Sequence, residues 1–558
     1  MDEGRWVRAP ELAVPLAELA ALGRVNPDRC LQPWIARACG VQAGDVLEYR
    51  IERRSLDARQ RPRLRFLYRV VARIRDGVAL APAVEELAAP PASDDALWHL
   101  PLHPARPREA IVVGTGPGGL MAAYLLAIHG TRVLLLDRGK TVDERSADIA
   151  RLHATRQLDP DSNYLFGEGG AGTFSDGKLY TRIKDRRIRF LLETFVAARA
   201  PRHILWHHHP HIGSDLLPPM CRRLRAMIVA RGGEFRWRST VVDIWEEGGR
   251  CRGVILESGE RIAADATVLA IGHSARALIA RLVERGLAHR AKGYQLGCRI
   301  EHPQELIDRA QYGAVAGRDY PRHLLSAAEY HLVSRPPPAL QAASVTTFCM
   351  CPGGEIIPAT SDPGQLSTNG MSCFARDSGF ANAGLIVHQP AEPRAPLAAL
   401  ARLAQLERAC FQAGGGDLSC PAQRARDFVR GELGPLPPRS SYRLGLRPAR
   451  LDQLLPAATA RAIAVALRYF ERLIPGFLNE GTLIGIEARV SSPIRFERHP
   501  ETLASSLPGL WLVGEGAGYA GGIVSAGIDG LRIAESILTG RAGERAAEPA
   551  DACPDCVA

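Results

Sequence analysis

A glycine-rich turn between two apolar segments constrains the fold of this chain most strongly. Residues 111–138 read IVVGTGPGGLMAAYLLAIHGTRVLLLDR, which predicts an apolar strand, a turn, an apolar helix and a second strand. Gly114, Gly116 and Gly119 have the G-x-G-x-x-G spacing, and Asp137 ends the second strand. Such a turn lets a pyrophosphate approach the helix N-terminus, whose free N–H groups favour anions. The context therefore predicts a dinucleotide-binding α/β unit in which Asp137 accepts hydrogen bonds from a ribose.

Length and composition exclude several classes of protein. A chain of 558 residues is too long for one core, so we expect two or three domains. The net charge is +10, but only four of the 70 basic residues are lysines and the arginines are scattered, which argues against a nucleic-acid partner. No apolar run is long enough to span a bilayer, and the N-terminus has no signal core, so no membrane partner is expected. The twelve cysteines follow no regular spacing, which predicts reduced thiols and a cytoplasmic location, while the oligomeric state stays open.

The order of the patterns along the chain predicts an α/β protein of several parts. A Rossmann-like domain begins at the glycine turn, is interrupted by an inserted α+β substrate or cap domain, and resumes near the C-terminus. A small α/β domain precedes it, joined by a segment rich in alanine and proline. The predicted boundaries are residues 1–75 for the N-terminal domain, 76–108 for the linker, 109–284 and 481–538 for the two parts of the Rossmann-like domain, 285–480 for the inserted domain and 539–558 for a mobile tail.

Three further glycine-rich segments supply candidate contacts to the dinucleotide. Residues 163–182, NYLFGEGGAGTFSDGKLYTR, repeat the glycine spacing without opening a helix, so we interpret them as backbone lying against a flat ligand. LAIGHSAR at 269–276 returns the chain to the first turn, and WLVGEGAG at 511–518 precedes a helix whose N-terminus favours anions. The candidate contacts are Gly114, Gly116, Pro117, Gly118, Gly119, Asp137, Arg138, Gly169, Gly170, Ala171, Ser175, Val241, Ala270, Gly272, Gly514, Glu515, Gly521, Gly522 and Ile523.

Taken together, these motifs resemble those of FAD-dependent oxidoreductases with the glutathione-reductase-like fold, which has two dinucleotide-binding domains. More narrowly, FGEGGAGTFSDGKL, LAIGHSAR, FCMCPGG, TNGMS and EARVSSPIR are similar to the bacterial family called NAD(P)/FAD-dependent oxidoreductases or uncharacterised FAD-dependent dehydrogenases. RRSLDARQ is similar to the leading domain of that family. The resemblance implies FAD as cofactor, a Rossmann-like flavin domain and an inserted substrate domain, and it implies no particular substrate.

Two cysteine pairs are candidates for redox chemistry. Cys349 and Cys351 form C-M-C, and on a regular strand both side chains would lie on one face. They are interpreted as a redox pair, as a thiol nucleophile near the flavin, or as two packed core thiols. Cys553 and Cys556 form a C-x-x-C near the end of the chain, a spacing compatible with redox chemistry or with half a zinc site.

Three charged or titratable residues complete the candidate site. Lys178 follows the second glycine-rich segment and would lie near the reactive flavin nitrogen, the alternative being a surface ion pair. Arg299 and His302, in CRIEHP, offer an anion clamp and a proton-transfer group, or else an interdomain salt bridge. The histidine run WHHHPHIG at 206–213 lacks an accompanying CxxC or HExxH motif, so we predict no metal site.

The sequence thus favours an FAD-dependent oxidoreductase that moves a hydride between flavin and a C–C or C–N bond of a small-molecule substrate. The inserted domain has no second strand–glycine turn–helix unit, so NAD(P)H, oxygen and another carrier all stay open as the redox partner. One alternative is an RNA-modifying flavoprotein with a cysteine nucleophile, which predicts a basic face shared by the N-terminal domain and the flavin cleft. The other is a non-catalytic binding protein on the same fold.

Overall fold

The computed structural model describes residues 4–23, 26–60, 63–89, 96–313 and 324–540. Cys553 and Cys556 lie outside these residues, as does the predicted tail beyond residue 540. Among the described residues, no helix combines the length and the apolar character that crossing a bilayer requires.

The N-terminal domain is an antiparallel sheet with two helices. Its strands are β1 (Gly4–Arg8), β2 (Leu12–Pro15), β3 (Val46–Asp57), β4 (Arg65–Arg75) and β5 (Glu85–Leu87), and its helices are α1 (Leu16–Ala21) and α2 (Gln32–Cys39). β4 pairs with β1, β2 and β3, and β5 pairs with the other edge of β1. β5 lies within the segment predicted as a linker, where Glu86 and Glu85 pair with Arg5 and Arg8 of β1. This part of the alanine- and proline-rich segment is therefore a strand of the first domain and not a free connection.

The glycine turn opens the Rossmann-like domain, as the sequence predicts. The elements of its first part are β6 (Glu109–Val113), α3 (Pro117–Ile128), β7 (Arg132–Leu136), α4 (Val142–Thr155), α5 (Arg187–Ala197), α6 (Leu217–Val229), β8 (Glu234–Arg236), β9 (Val241–Glu247), β10 (Arg250–Leu256), β11 (Arg261–Ala263), β12 (Ala266–Leu269) and α7 (Arg276–Glu284). β9, β10 and β11 form a separate antiparallel sheet. Thr141 caps α4 by accepting from the backbone N–H of Glu144, whose carboxylate accepts from the Thr141 N–H in return.

The inserted region is built around a seven-stranded mixed sheet. Its elements are β13 (His289–Ala291), β14 (Tyr294–Pro303), α8 (Gln304–Tyr312), β15 (Val333–Ser334), β16 (Val345–Cys351), β17 (Glu355–Pro358), β18 (Thr368–Met371), β19 (Phe380–Gln389), α9 (Pro396–Ala413), β20 (Cys420–Arg424), α10 (Ala425–Arg430), β21 (Leu446–Pro448), α11 (Leu451–Leu454), α12 (Ala457–Leu473), α13 (Phe477–Glu480) and β22 (Thr482–Glu487). The strand order is β15-β16-β19-β14-β22-β20-β21, and β17 pairs with β18 beside this sheet.

The C-terminal segment returns to the Rossmann-like domain and completes its sheet. It contains β23 (Ile494–Phe496), β24 (Leu510–Leu512) and α14 (Ile523–Thr539). The parallel sheet has the order β24-β12-β6-β7-β8. α3 is buried on nearly every side because α14 packs against it. A Cβ on Gly530 would lie 2.0 Å from the carbonyl oxygen of Gly118, so the two helices approach more closely than side chains at these positions allow. The predicted mixed α/β class with a Rossmann-like domain is confirmed.

Candidate active site

The first glycine turn is packed so tightly that two of its positions exclude a side chain. Gly114 has φ 98°, and a Cβ there would lie 2.4 Å from the carbonyl oxygen of Ala270. A Cβ on Gly119 would lie 2.0 Å from the carbonyl oxygen of Gly114. A Cβ on Gly116, by contrast, would meet only the Cα of Gly170, at 3.9 Å. The turn is therefore closed on the protein side and leaves space at Gly116, where a pyrophosphate approaches in this type of turn.

Asp137 holds the turn from the end of β7. Its Oδ2 accepts from the backbone N–H of Thr115 at 2.9 Å and from the Thr115 hydroxyl at 2.5 Å, and its Oδ1 accepts from the Gly139 N–H at 2.8 Å. A carboxylate has further lone pairs, so its contact with a ribose stays a prediction. The guanidinium of Arg138 pairs with Asp161 and lies 4.3 Å from the ring centroid of Phe166.

The second glycine-rich segment is held by a buried arginine that the sequence analysis missed. Arg145, on α4, donates to the carbonyl oxygens of Asn163 at 2.7 Å, Glu168 at 2.7 Å and Gly170 at 2.9 Å. Burial lowers its pKa to about 10. The signal was the helical spacing, because position 145 falls on the buried stripe that includes Val142 and Ile149.

The predicted cofactor segments converge around this loop. A Cβ on Gly172 would lie 3.3 Å from Ile523 at the start of α14 and 3.6 Å from Pro117 at the start of α3. The Ser175 hydroxyl donates to the carbonyl oxygen of Gly172 at 2.8 Å and thereby shapes the loop. The exposed residues at this convergence are Ala171, Gly521 and Gly522.

The closing segment is fastened by two carboxylates. Asp529 accepts from the Gly514 N–H at 2.7 Å while Arg498 pairs with it. Glu515 accepts from the Ser492 N–H at 2.8 Å. Two predicted contacts, Gly169 and Gly272, have positive φ, and a Cβ on Gly516 would lie 2.8 Å from the carbonyl oxygen of Gly272. Val241 is buried in the core beside the sheet, and its contact with the cofactor stays a prediction.

A buried ion-pair cluster follows directly from the loop. Asp176 accepts two hydrogen bonds from Arg376, at 3.1 and 2.7 Å, and lies 3.9 Å from the Nζ of Lys178. Burial opposes ionisation of Asp176, but Arg376 and Lys178 outweigh it and lower its pKa to about 2. Burial also opposes the charge of Lys178, but Asp176 outweighs it and the pKa of Lys178 is raised. The alternative of a surface ion pair is wrong, because Asp176 is buried and Lys178 is only 13% exposed.

Arg299 holds the backbone of the C-M-C segment. Its guanidinium donates to the carbonyl oxygen of Cys349 at 3.0 and 3.1 Å and to Asn369 at 3.1 Å, and its Nε lies 3.4 Å from Glu487. Glu487, which the sequence analysis missed, is fully buried. Burial raises its pKa to about 7, although Arg299 works in the opposite direction.

The two cysteines of this segment are not equivalent. β16 is irregular between Phe348 and Cys351, and Cys349 has φ 42°, so the predicted regular strand with both thiols on one face is wrong. The Cys351 thiol donates to the carbonyl oxygen of Cys349 at 3.3 Å. The adjacent Cys351 thiol and the charges of Lys178 and Arg299 lower the pKa of Cys349 to about 5 against the effect of burial. The pKa of Cys351 is raised by the same neighbour.

His302 takes no part in this cluster, so its predicted proton-transfer role is wrong. Its Nε2 hydrogen-bonds to the carbonyl oxygen of Phe477 at 2.8 Å, and its ring packs against the Phe477 ring at 4.3 Å. Burial lowers its pKa to about 4. His302 and Arg299 are three residues apart on β14, which places them on opposite faces of the sheet.

The histidine run joins two domains. His207 and Trp206 both contact the carboxylate of Asp28, at 3.4 and 2.9 Å, and Asp28 also accepts from Arg54 and from the Tyr68 hydroxyl, each at 3.0 Å. Within the described ranges, no three histidine, cysteine, aspartate or glutamate side chains are grouped closely enough to hold a metal ion.

Comparison with known proteins gives a relative along nearly the whole chain. An uncharacterised protein of Clostridium beijerinckii is 35% identical over 526 residues, which cover 91% of this chain and 95% of the relative. Four family models match parts of the chain: "FAD-dependent protein, C-terminal domain-like" at residues 293–490, "FAD dependent oxidoreductase" at 217–338, "FAD binding domain" at 108–153, and a domain of unknown function at 21–73.

Solved structures are more distant. Fructosyl amine:oxygen oxidoreductase from Aspergillus fumigatus is 14% identical, with a TM-score of 0.34 over 79% of this chain and 88% of that chain. L-proline dehydrogenase from P. horikoshii is 12% identical, with a TM-score of 0.33 over 78% and 95% of the two chains.

Proposed function

We propose that this protein moves a hydride between FAD and a C–C or C–N bond of a small molecule. It belongs to the family of the Clostridium beijerinckii protein and is an FAD-dependent oxidoreductase. The cluster around Lys178 and Cys349 is the proposed place of that reaction. A two-dinucleotide-domain architecture, NAD(P)H as electron donor and a cytoplasmic location belong to the same proposal. All ten cysteines that the structure describes are unpaired thiols, which supports a reducing compartment.

The residues present fit FAD. Gly116 leaves space at the first turn, while Gly172, Pro117 and Ile523 meet where the second loop approaches two helix N-termini. Helix N-termini favour a pyrophosphate. FAD supplies two-electron redox chemistry when it is bound, and the residues of the chain bind and orient the reactants.

One observation carries the proposal: several buried polar atoms around Lys178 and Arg299 have no hydrogen-bond partner within the described chain. They include the Nζ of Lys178, the hydroxyl of Tyr330 and the Oε2 of Glu487. Lys178 and Glu487 have only longer ion-pair contacts there, to Asp176 at 3.9 Å and to the Nε of Arg299 at 3.4 Å. A buried polar group without a partner costs about 1–3 kcal/mol. Three such groups in one cluster are explained by a ligand that supplies their hydrogen bonds, and Lys178 follows the cofactor loop by three residues from Ser175.

The chemistry of these groups assigns their roles. Lys178 stays protonated, so it donates a hydrogen bond to an acceptor or an anionic group of the substrate and does not exchange a proton. Glu487, whose pKa is about 7, can gain or lose a proton near neutral pH and is the candidate general acid or base. The pKa of Cys349 is lowered by the adjacent Cys351 thiol and by the charges of Lys178 and Arg299, so Cys349 can present a thiolate that accepts a proton or acts as a nucleophile.

The test is an anaerobic titration of the purified protein with NADH and NADPH, in which the flavin absorbance is recorded. Lys178→Met is compared with Lys184→Met, which removes the same charge from an exposed position. We expect bound FAD in all three proteins and flavin reduction that is slowed only in Lys178→Met.

Absence of a flavin band after addition of FAD would contradict the cofactor and favour the non-catalytic alternative. Flavin that neither nucleotide reduces would contradict NAD(P)H as donor, and candidate amines and reduced rings would then be screened as reductants.

A further inference from the structure

A large groove lies between the N-terminal domain and the Rossmann-like domain. Its volume is about 1250 Å³, and we call it the interdomain groove. Charged residues line it unevenly. Its arginines are Arg8, Arg53, Arg69 and Arg182, and its glutamates are Glu11 and Glu52. Arg8 is paired with Glu52 and Glu85, whereas Arg53 and Arg69 have no carboxylate partner in the described chain and offer two positive charges, which match the two negative charges of a pyrophosphate.

Two of these arginines repel each other across adjacent strands. Arg53 on β3 and Arg69 on β4 are register partners. Like charges placed directly opposite on antiparallel strands are destabilising. Neither pairs with an acid within the described chain: Arg53 contacts His208 at 3.0 Å, and Arg69 has no hydrogen bond or ion pair there. An anion bound between the two guanidinium groups would remove this repulsion.

One end of the interdomain groove offers stacked rings. The Tyr180 ring stacks on His209 with a centroid distance of 4.8 Å, and His209 stacks on His208 at 4.6 Å. Tyr180 is exposed and lies two residues after Lys178. Because Lys178 belongs to the proposed reaction site, this end of the groove adjoins that site.

We propose that the interdomain groove binds a pyridine dinucleotide, with its phosphates between Arg53 and Arg69 and its nicotinamide end at Tyr180. This inference rests on the proposed function, because an FAD-dependent oxidoreductase needs a second redox partner. In the described part of the chain, the strand–glycine turn–helix units at Gly114 and at Gly514 are both assigned to FAD, so the partner binds elsewhere. The glutamates supply acceptors for ribose hydroxyls, whereas they would repel the longer phosphate chain of an RNA.

The redox step balances without another reactant. The reduced nicotinamide gives up two electrons and one proton as a hydride to the flavin, and the oxidised dinucleotide then leaves the groove. NADP⁺ binds without this step, so binding and electron transfer can be measured separately.

The experiment is calorimetric titration of the FAD-loaded protein with NADP⁺ and NAD⁺. Arg53→Gln/Arg69→Gln is compared with Arg37→Gln/Arg63→Gln, which removes two exposed charges of the same domain outside the groove. We expect the affinity for one dinucleotide to fall at least about tenfold in the groove variant, since each arginine contributes a charge-assisted hydrogen bond, and to stay within about twofold in the control. Tyr180→Ala tests the nicotinamide end in the same way.

The outcomes separate the groove from the proposed function. Dinucleotide binding that depends on Arg53 and Arg69, without flavin reduction by NADPH, would support the groove and contradict NADPH as donor. Flavin reduction that neither arginine affects would overturn the groove and leave the proposed function standing. An RNA oligonucleotide that binds in an Arg53- and Arg69-dependent manner, where NADP⁺ and NAD⁺ do not bind, would overturn the dinucleotide and favour the RNA alternative.

Discussion

Replacing Lys178 by methionine should raise the pKa of the Cys349 thiol. That pKa is held at about 5 by the adjacent Cys351 thiol and by the charges of Lys178 and Arg299, which together outweigh burial. A positive charge close to an ionised group lowers its pKa by about 1–3 units. Methionine keeps an apolar stem of similar length without the charge, so the pKa of Cys349 should rise to between about 6 and 8.

The expected change in reactivity follows from the thiolate fraction. At about pH 6, a thiol with a pKa of about 5 is about 90% ionised, whereas one with a pKa between about 6 and 8 is between about 50% and about 1% ionised. Since the thiolate is the nucleophile, alkylation of Cys349 by iodoacetamide at about pH 6 should slow by between about twofold and about 100-fold. The rate is measured from about pH 4 to about pH 10, and the modified residue is located by fragmentation of its peptide in a mass spectrometer.

Two internal controls make the result interpretable. Cys373 is exposed, and partial burial raises the pKa of its thiol, so its alkylation should have an alkaline midpoint in every variant. Lys184→Met should leave the midpoint of Cys349 unchanged. The reasoning is refuted if the wild-type midpoint of Cys349 coincides with that of Cys373, or if Lys178→Met does not move it.

Three further changes test the parts of the site separately. Gly119→Ala places a Cβ 2.0 Å from a carbonyl oxygen, so it should lower the free energy of unfolding by about 1–3 kcal/mol and lower the FAD content. Gly44→Ala, which has open space around it, should change neither quantity. Full FAD content in Gly119→Ala would contradict the assignment of the first glycine turn to FAD. Arg145→Met leaves buried carbonyl groups without donors and should lower the free energy of unfolding, measured in urea, by at least about 3 kcal/mol. Arg151→Met, at an exposed position, should lower it by less than about 1 kcal/mol. Equal losses in the two variants would contradict the role of Arg145. The folded-state pKa of Glu487, about 7, lies above its ordinary value, so between these two pH values the folded protein holds a proton that the unfolded chain releases. The free energy of unfolding of the wild type relative to Glu487→Gln should therefore fall by about 3 kcal/mol as the pH rises from about 4.5 to about 7. A difference that does not depend on pH would refute this.

The parts of the site that the sequence predicts well are local. The spacing of Gly114, Gly116 and Gly119 after an apolar strand fixes the conformation of a turn within a few residues, and that turn forms where it is predicted. Asp176 and Arg376, by contrast, are separated by 200 positions, and no local pattern brings such a pair together.

Two errors have identifiable physical causes. The positive φ of Cys349 breaks the alternation of side chains where the pairing of β16 with β19 shifts between Phe348 and Cys351, and Arg299 there donates to the carbonyl oxygen of Cys349. His302 is misassigned because it is close to Arg299 in sequence. On a strand, side chains alternate between the two faces, so residues three positions apart lie on opposite faces of the sheet.

The carboxylate of Asp28 has a consequence for exchanging modules between related proteins. It accepts hydrogen bonds from Arg54 and Tyr68 of its own domain and from Trp206 across the boundary. A chimera that takes the N-terminal domain through β5, which ends at Leu87, from another protein keeps Trp206 with a partly buried indole N–H, and the donated domain must offer an acceptor at that point. An exchanged N-terminal domain therefore needs an acceptor at the position of Asp28, and a library of such chimeras can be filtered for it before any protein is made.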